Sequence, residues 1–98
     1  MQRQPGLYYL VTVSAPKEQT VLANAQFLVE HGMSDVTIEQ KSNGMFYVVT
    51  VSGFAKLVDP QADALRNLAI EIGRQHPDAR KVHRSVYYDA YYTRIARR

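Results

Sequence analysis

The chain repeats one of its own segments. Tyr8-Tyr9-Leu10-Val11-Thr12-Val13-Ser14 returns 38 residues later as Phe46-Tyr47-Val48-Val49-Thr50-Val51-Ser52, with five of the seven positions identical. β-branched and aromatic residues dominate both copies, and each is shorter than an average helix, so both read as strands on a pleated, half-buried surface. A chain of 98 residues has room for one core around those strands and little more. It contains no cysteine. Disulfides and thiolate metal sites are therefore excluded, and hydrophobic burial must supply the stability.

A helical pattern follows each copy. After the first, Pro16 stands where a helix can begin, because its missing N–H would be unpaired in the first turn anyway. Val21, Leu22, Ala25, Leu28 and Val29 then make an apolar stripe that Gly32 ends. After the second, Asp59-Pro60 provides an N-cap carboxylate and a helix-opening proline, and Leu65, Leu68, Ala69 and Ile72 form the second stripe. Strand and helix are duplicated together.

Between the first helix and the second copy, Val36-Thr37-Ile38-Glu39-Gln40-Lys41 alternates as a strand does. Asn43-Gly44 then predicts a type I′ hairpin into the Phe46 strand. The remaining strand is expected at Asp89-Ala90-Tyr91-Tyr92-Thr93-Arg94-Ile95, with a C-terminal helix as the competing reading. The fold class is thus α+β: a ferredoxin-like βαββαβ unit, a four-stranded antiparallel sheet with both helices on one face. Residues 1–6 are expected to be a disordered N-terminal segment, 7–95 the single domain and 96–98 a basic tail. The connection of about residues 73–86 is longer than most and is expected to be mobile or functional.

Alternation divides each strand between two faces. Tyr9, Val11 and Val13, with Tyr47, Val49 and Val51, are expected under the helices. The open face would carry Tyr8, Leu10, Thr12 and Ser14 from one strand and Phe46, Val48, Thr50 and Ser52 from the other. In the closing strand, Ala90 and Tyr92 are expected toward the helices and Tyr91 with Thr93 toward the open face.

Charge is uneven along the chain. Residues 74–98 hold seven Arg or Lys against two Asp, and residues 1–73 hold five against seven acidic residues. The basic end reads as a solvated surface or as an attraction for an anionic polymer or lipid. No apolar run approaches bilayer-spanning length, and Met1 to Gly6 lacks the apolar core of a signal peptide. His31, His76 and His83 have no carboxylate or serine partner at a spacing that suggests a triad or a metal site. An enzyme is therefore not expected, nor a catalytic residue, a metal or a cofactor.

The halves Tyr9-x-Val11-x-Val13 and Tyr47-x-Val49-x-Val51-x-Gly53-Phe54 resemble the two strand motifs of SPOR domains. Leu28-x-x-x-Gly32 looks like the end of that family's first helix, and Asp89-Ala90-Tyr91 like the start of its closing strand. The likeness spans about residues 7–95. It departs at Thr12, where many members have Gln, at Ser14, where they have Gly, and at Ala15-Pro16. The resemblance implies a bacterial cell-envelope or periplasmic module, non-enzymatic, that binds peptidoglycan glycan strands lacking stem peptides near the division site.

On the residues themselves, aromatic rings stack on the apolar faces of pyranoses and hydroxyls share hydrogen bonds with sugars. Tyr8, Phe46 and Tyr91 are the candidate rings. Thr12, Ser14, Thr50 and Ser52 are the candidate hydroxyls, with Leu10 and Val48 between them. Two alternatives stay open for that face: contact with another protein or a second copy of the chain, and single-stranded nucleic acid stacked on the rings. The last is disfavoured, because the Phe46 strand lacks the glycine and alternating aromatics of RNA-binding strands.

Overall fold

The computed structural model describes residues 6–94. The expected N-terminal segment up to residue 5, Ile95 and the tail 96–98 lie outside them. The elements run β1 (Tyr8–Ala15), α1 (Glu18–Glu30), β2 (Val36–Gln40), β3 (Phe46–Thr50), α2 (Pro60–Arg74), α3 (Ala79–Val82) and β4 (Tyr91–Arg94). All strand pairs are antiparallel, and the sheet order is β2-β3-β1-β4. The class is α+β, and the C-terminal tyrosine segment closes the sheet as a strand. The duplicated strands lie side by side at its centre.

The main core joins Leu10 of β1 and Val48 of β3 to Val21 and Leu28 of α1 and to Ala69 and Ile72 of α2. Phe46, Val36, Ile38 and Tyr92 pack around it. Burial on this scale contributes roughly 1.5–3 kcal/mol for each large aliphatic side chain. The expected division of the two faces is therefore reversed: Leu10, Val48 and Phe46 lie beneath the helices. Tyr9, Val11 and Val49 form a separate cluster with Leu7 and Tyr47.

A bulge complicates the alternation. The β1–β3 register runs Val11 opposite Val49 and then Val13 opposite Val48, so Thr12 is the extra residue. Beyond it every side chain changes face, which brings Val13 and Ala15 into contact with the main core. Val13 thus lies beneath the helices as expected, and Val11 does not. Thr50 Oγ1 accepts a hydrogen bond from the Leu10 N–H at 3.0 Å. Thr12 Oγ1 donates to the Val48 carbonyl at 3.4 Å. These hydroxyls, expected on the open face, instead satisfy backbone groups beside the bulge, and both residues are buried.

The helices start and stop for local reasons. Asp59 caps α2 by accepting from Gln61 N–H at 2.8 Å, with Pro60 as the first helical residue. α1 begins later than Pro16, behind an extended Lys17 with no side-chain cap bond. It ends at His31, where Gly32 turns left-handed at φ 105° and Met33 N–H returns to the Leu28 carbonyl at 2.8 Å. Of its stripe, Val21 and Leu28 are buried, whereas Leu22 and Val29 are 49% and 48% exposed.

Two expected connections are built differently. The β2–β3 turn is closed by Gly44 N–H to the Lys41 carbonyl, and Gly44 has φ 84° while Asn43 has no positive φ. A type I′ turn needs positive φ at both central residues, so this is not one. The stretch after α2 is docked. α3 interrupts it, Ser85 Oγ donates to the Ile70 carbonyl at 2.6 Å, and Val86 N–H reaches the Gly73 carbonyl. Tyr87 is fully buried, with its hydroxyl donating to Asn24 Oδ1 of α1 at 2.7 Å.

Candidate functional site

The register sets out the sheet face turned away from the main core. β4 places Tyr91 opposite Val11, β3 places Val49 on the other side of Val11, and β2 places Thr37 opposite Val49. One row, Tyr91–Val11–Val49–Thr37, therefore crosses all four strands. On one side of it Tyr9 stands opposite Thr93. On the other, Tyr47 stands between Ser14 and Glu39.

The valines of this face are covered: Val11 and Val49 are 2% and 1% exposed. Tyr9 is buried too, its ring so close to Gly53 that any β-carbon there would come within 2.8 Å of it. Tyr91 is 49% exposed and Tyr47 is half-buried. What the face offers to a ligand is phenol rings and polar groups over a sealed apolar floor.

The Tyr47 ring is held in place. Asn43 Nδ2 donates to its hydroxyl at 3.3 Å, and the Lys41 ammonium lies 5.0 Å from its centroid. Burial raises the Tyr91 phenol above its ordinary pKa, with smaller contributions from the Tyr47 phenol and the Asp89 carboxylate. The two tyrosines stand on β4 and β3 of the same face, with β1 and its Val11 between them. A phenol hydroxyl can donate as well as accept hydrogen bonds.

Of the residues expected at a site, Ser14 and Tyr91 lie on this face. Leu10, Thr12, Phe46, Val48 and Thr50 belong to the core side. Tyr8 alternates with Tyr9 toward that same side, half-buried, with the Arg94 guanidinium 5.7 Å from its ring centroid. Ser52 lies past the end of β3 and is exposed, its N–H donating to Asp35 Oδ2 at 3.1 Å. Thr93 faces outward beside Tyr91, and Ala90 and Tyr92 pack inward, as the alternation of the closing strand predicts. Tyr47, Thr37 and Lys41 were not legible as site residues. The asymmetry of the β2–β3 turn, which brings Asn43 and Lys41 against Tyr47, has no sequence signal beyond Asn-Gly.

Three arginines of the C-terminal quarter lie elsewhere, around a hollow of about 320 Å³ lined by Arg74, Ala79, Arg80, His83 and Arg84. Arg84 stacks there on Tyr88, with 3.6 Å from guanidinium carbon to ring centroid. His31 and His76 both pack their rings against Phe27. Among the described residues no helix is long and apolar enough to cross a membrane. No protein-family model, no curated protein and no solved structure matches the chain.

Proposed function

We propose that this chain is a non-catalytic binding module of ferredoxin-like, SPOR-type arrangement that holds peptidoglycan glycan strands on its helix-free sheet face. The strand order β2-β3-β1-β4 and the sharing of one core by α1 and α2 support the fold. The observation that carries the ligand class is the pair Tyr47 and Tyr91, set on neighbouring parts of one face above Val11 and Val49. A pyranose presents an apolar face to such rings, and its hydroxyls meet Ser14, Thr37, Thr93 and the phenol oxygens. The resemblance to SPOR domains narrows the sugar chain to peptidoglycan and the location to the bacterial envelope.

The same face suits the two competing ligands less well. A protein partner would gain by covering exposed apolar surface, and here the valines are already covered. A nucleic-acid strand needs several cations along its path, whereas Lys41 is the cation seated against the Tyr47 ring and Arg74, Arg80 and Arg84 line a separate hollow.

Co-sedimentation with purified sacculi, before and after amidase removal of the stem peptides, tests the reading. Capture that rises on amidase treatment and falls in Tyr47→Ala and Tyr91→Ala supports it. No capture of either preparation by the folded chain overturns it.

A further inference from the structure

The sheet has an outer edge at β2 whose exposed backbone groups can be identified. Val51 N–H donates to the Asp35 carbonyl and Lys41 N–H to the Met45 carbonyl, so residues 35, 37, 39 and 41 turn their peptide groups toward β3. Val36, Ile38 and Gln40 therefore turn theirs outward. The strand is β-branched, with neither a proline nor a bulge to block pairing. Beside it a groove of about 450 Å³ opens between α1 and β2, lined by Ala25, Val29, Val36 and Ile38 among others. Val29 and Leu22 continue this apolar strip along α1, each about half exposed. Edge and strip together form one unsatisfied surface, polar in its backbone and apolar in its side chains.

We infer that β2 pairs antiparallel with β2 of a second copy of this chain, about a two-fold axis at Ile38. Charge complementarity points to a second copy as the occupant, and charge together with strand overlap sets the register. With Ile38 opposite Ile38, Asp35 stands opposite Lys41 of the second copy on one face, twice by symmetry, and Thr37 stands opposite Glu39. An axis at Thr37 would set Asp35 against Glu39, and an axis at Glu39 would set Glu39 against itself. An axis at Gln40 would set Glu39 against Lys41 but would leave Val36 and Thr37 opposite the turn; the Ile38 axis alone pairs the whole of Val36–Gln40 with itself while setting opposite charges together and no like ones. In that register Ile38 with Ile38, and Val36 with Gln40, are hydrogen-bonded pairs, each exchanging both N–H···O bonds. On the core side the two Ile38 side chains meet at the axis, and the α1 strips converge over them. The two sheets become one of eight strands, with a tyrosine platform in each half. The inference stands independently of what that platform binds.

Sedimentation velocity on the full chain, from micromolar to near-millimolar, reads the association directly. A concentration-dependent dimer is expected, and a monomer throughout overturns the inference. Gln40→Pro removes an outward N–H while leaving every β2–β3 bond in place, and Lys41→Glu turns the opposed charges alike. Each should weaken the dimer about tenfold or more without altering the far-ultraviolet circular dichroism. Undiminished association in both places the interface elsewhere. The native chain has no cysteine, so introduced thiols report alone. Thr37→Cys mixed with Glu39→Cys should cross-link under oxidation because they form a close, non-hydrogen-bonded pair. Either variant cross-linking with itself instead would reject this register.

Discussion

Val11 and Val49 stand directly opposite each other across β1 and β3, and they are the same position in the two copies of the repeated segment. The repeat has thus paired with itself, antiparallel, about a local pseudo-two-fold axis between the two valines. That relation places Tyr9 and Tyr47, another equivalent pair, on opposite sides of the valine floor. It fails at Thr12, where β1 gains a residue that β3 lacks. Thr12 and Thr50 occupy equivalent positions, yet one is the bulged residue and the other accepts the Leu10 N–H.

Which side is the core is tested by Leu10→Asp and Val48→Asp. Each sets an unpaired carboxylate beneath the helices, at a cost of several kcal/mol, comparable to the whole stability of a small domain. Neither variant should show a cooperative melt by circular dichroism. A native-like melt in both would mean that α1 and α2 do not cover that face.

The existence of the sheet, the capping of α2 and the closing strand were legible because each rests on local chemistry: alternation, Asp59-Pro60, and aromatic residues in a row. The orientation of the sheet was not. Both faces of β1 are apolar, Leu10 toward the helices and Val11 away from them, so a period of two locates a strand without choosing its core face. Threonine then misled, because hydroxyls read as a solvent-facing feature while Thr50 and Thr12 satisfy backbone groups inside. The bulge that changes the face of Val13 and Ser14 leaves no mark in composition. The long connection after α2 carried a weak signal in Tyr87, whose burial and bond to Asn24 depend on a residue 63 positions away.

Gly73→Ala sets two effects against each other. Alanine favours a helix interior by roughly 0.5–1 kcal/mol. At this position its β-carbon would lie 2.2 Å from Ser85 Oγ and 2.8 Å from the Tyr87 backbone nitrogen. Overpacking of that kind costs about 1–3 kcal/mol and should win. The variant should melt several degrees lower, and a rise in melting temperature would mean that the Ser85–Tyr87 segment is not seated against α2.

Alkali should unfold the domain through two tyrosines. Burial pushes the Tyr87 phenol up to about 12. Burial, then Asp63 and Asp59, outweigh Arg66 and push Tyr92 up to about 12. In the unfolded chain both titrate near 10. Above that pH the unfolded state binds fewer protons than the native state, so stability falls as pH rises. The contribution is complete below about pH 10 and disappears toward 12. Urea midpoints measured from pH 8 to 11.5 should stay level and then decline, with a shallower decline in Tyr92→Phe. A flat profile to pH 11.5 would show that neither phenol is shielded.

The final prediction separates binding from folding at residues that the repeat makes look alike. Thr50→Ala deletes a hydroxyl that accepts from Leu10 N–H and donates to the Ser52 carbonyl, each at 3.0 Å. Leaving a buried N–H unpaired costs about 1–3 kcal/mol, so this variant should lose stability. Tyr91→Ala removes a half-exposed ring from the end of the row and should change the melting temperature little. If the ring stacks on a sugar, its loss should weaken sacculus capture roughly ten- to a hundredfold, the range of stacking terms measured for other ring-shaped ligands. Capture by Thr50→Ala, assayed well below its melting temperature, should stay near the parent level because the hydroxyl never reaches the ligand. The opposite pattern, with binding lost in Thr50→Ala and kept in Tyr91→Ala while both remain folded, would move the binding surface away from the tyrosine face.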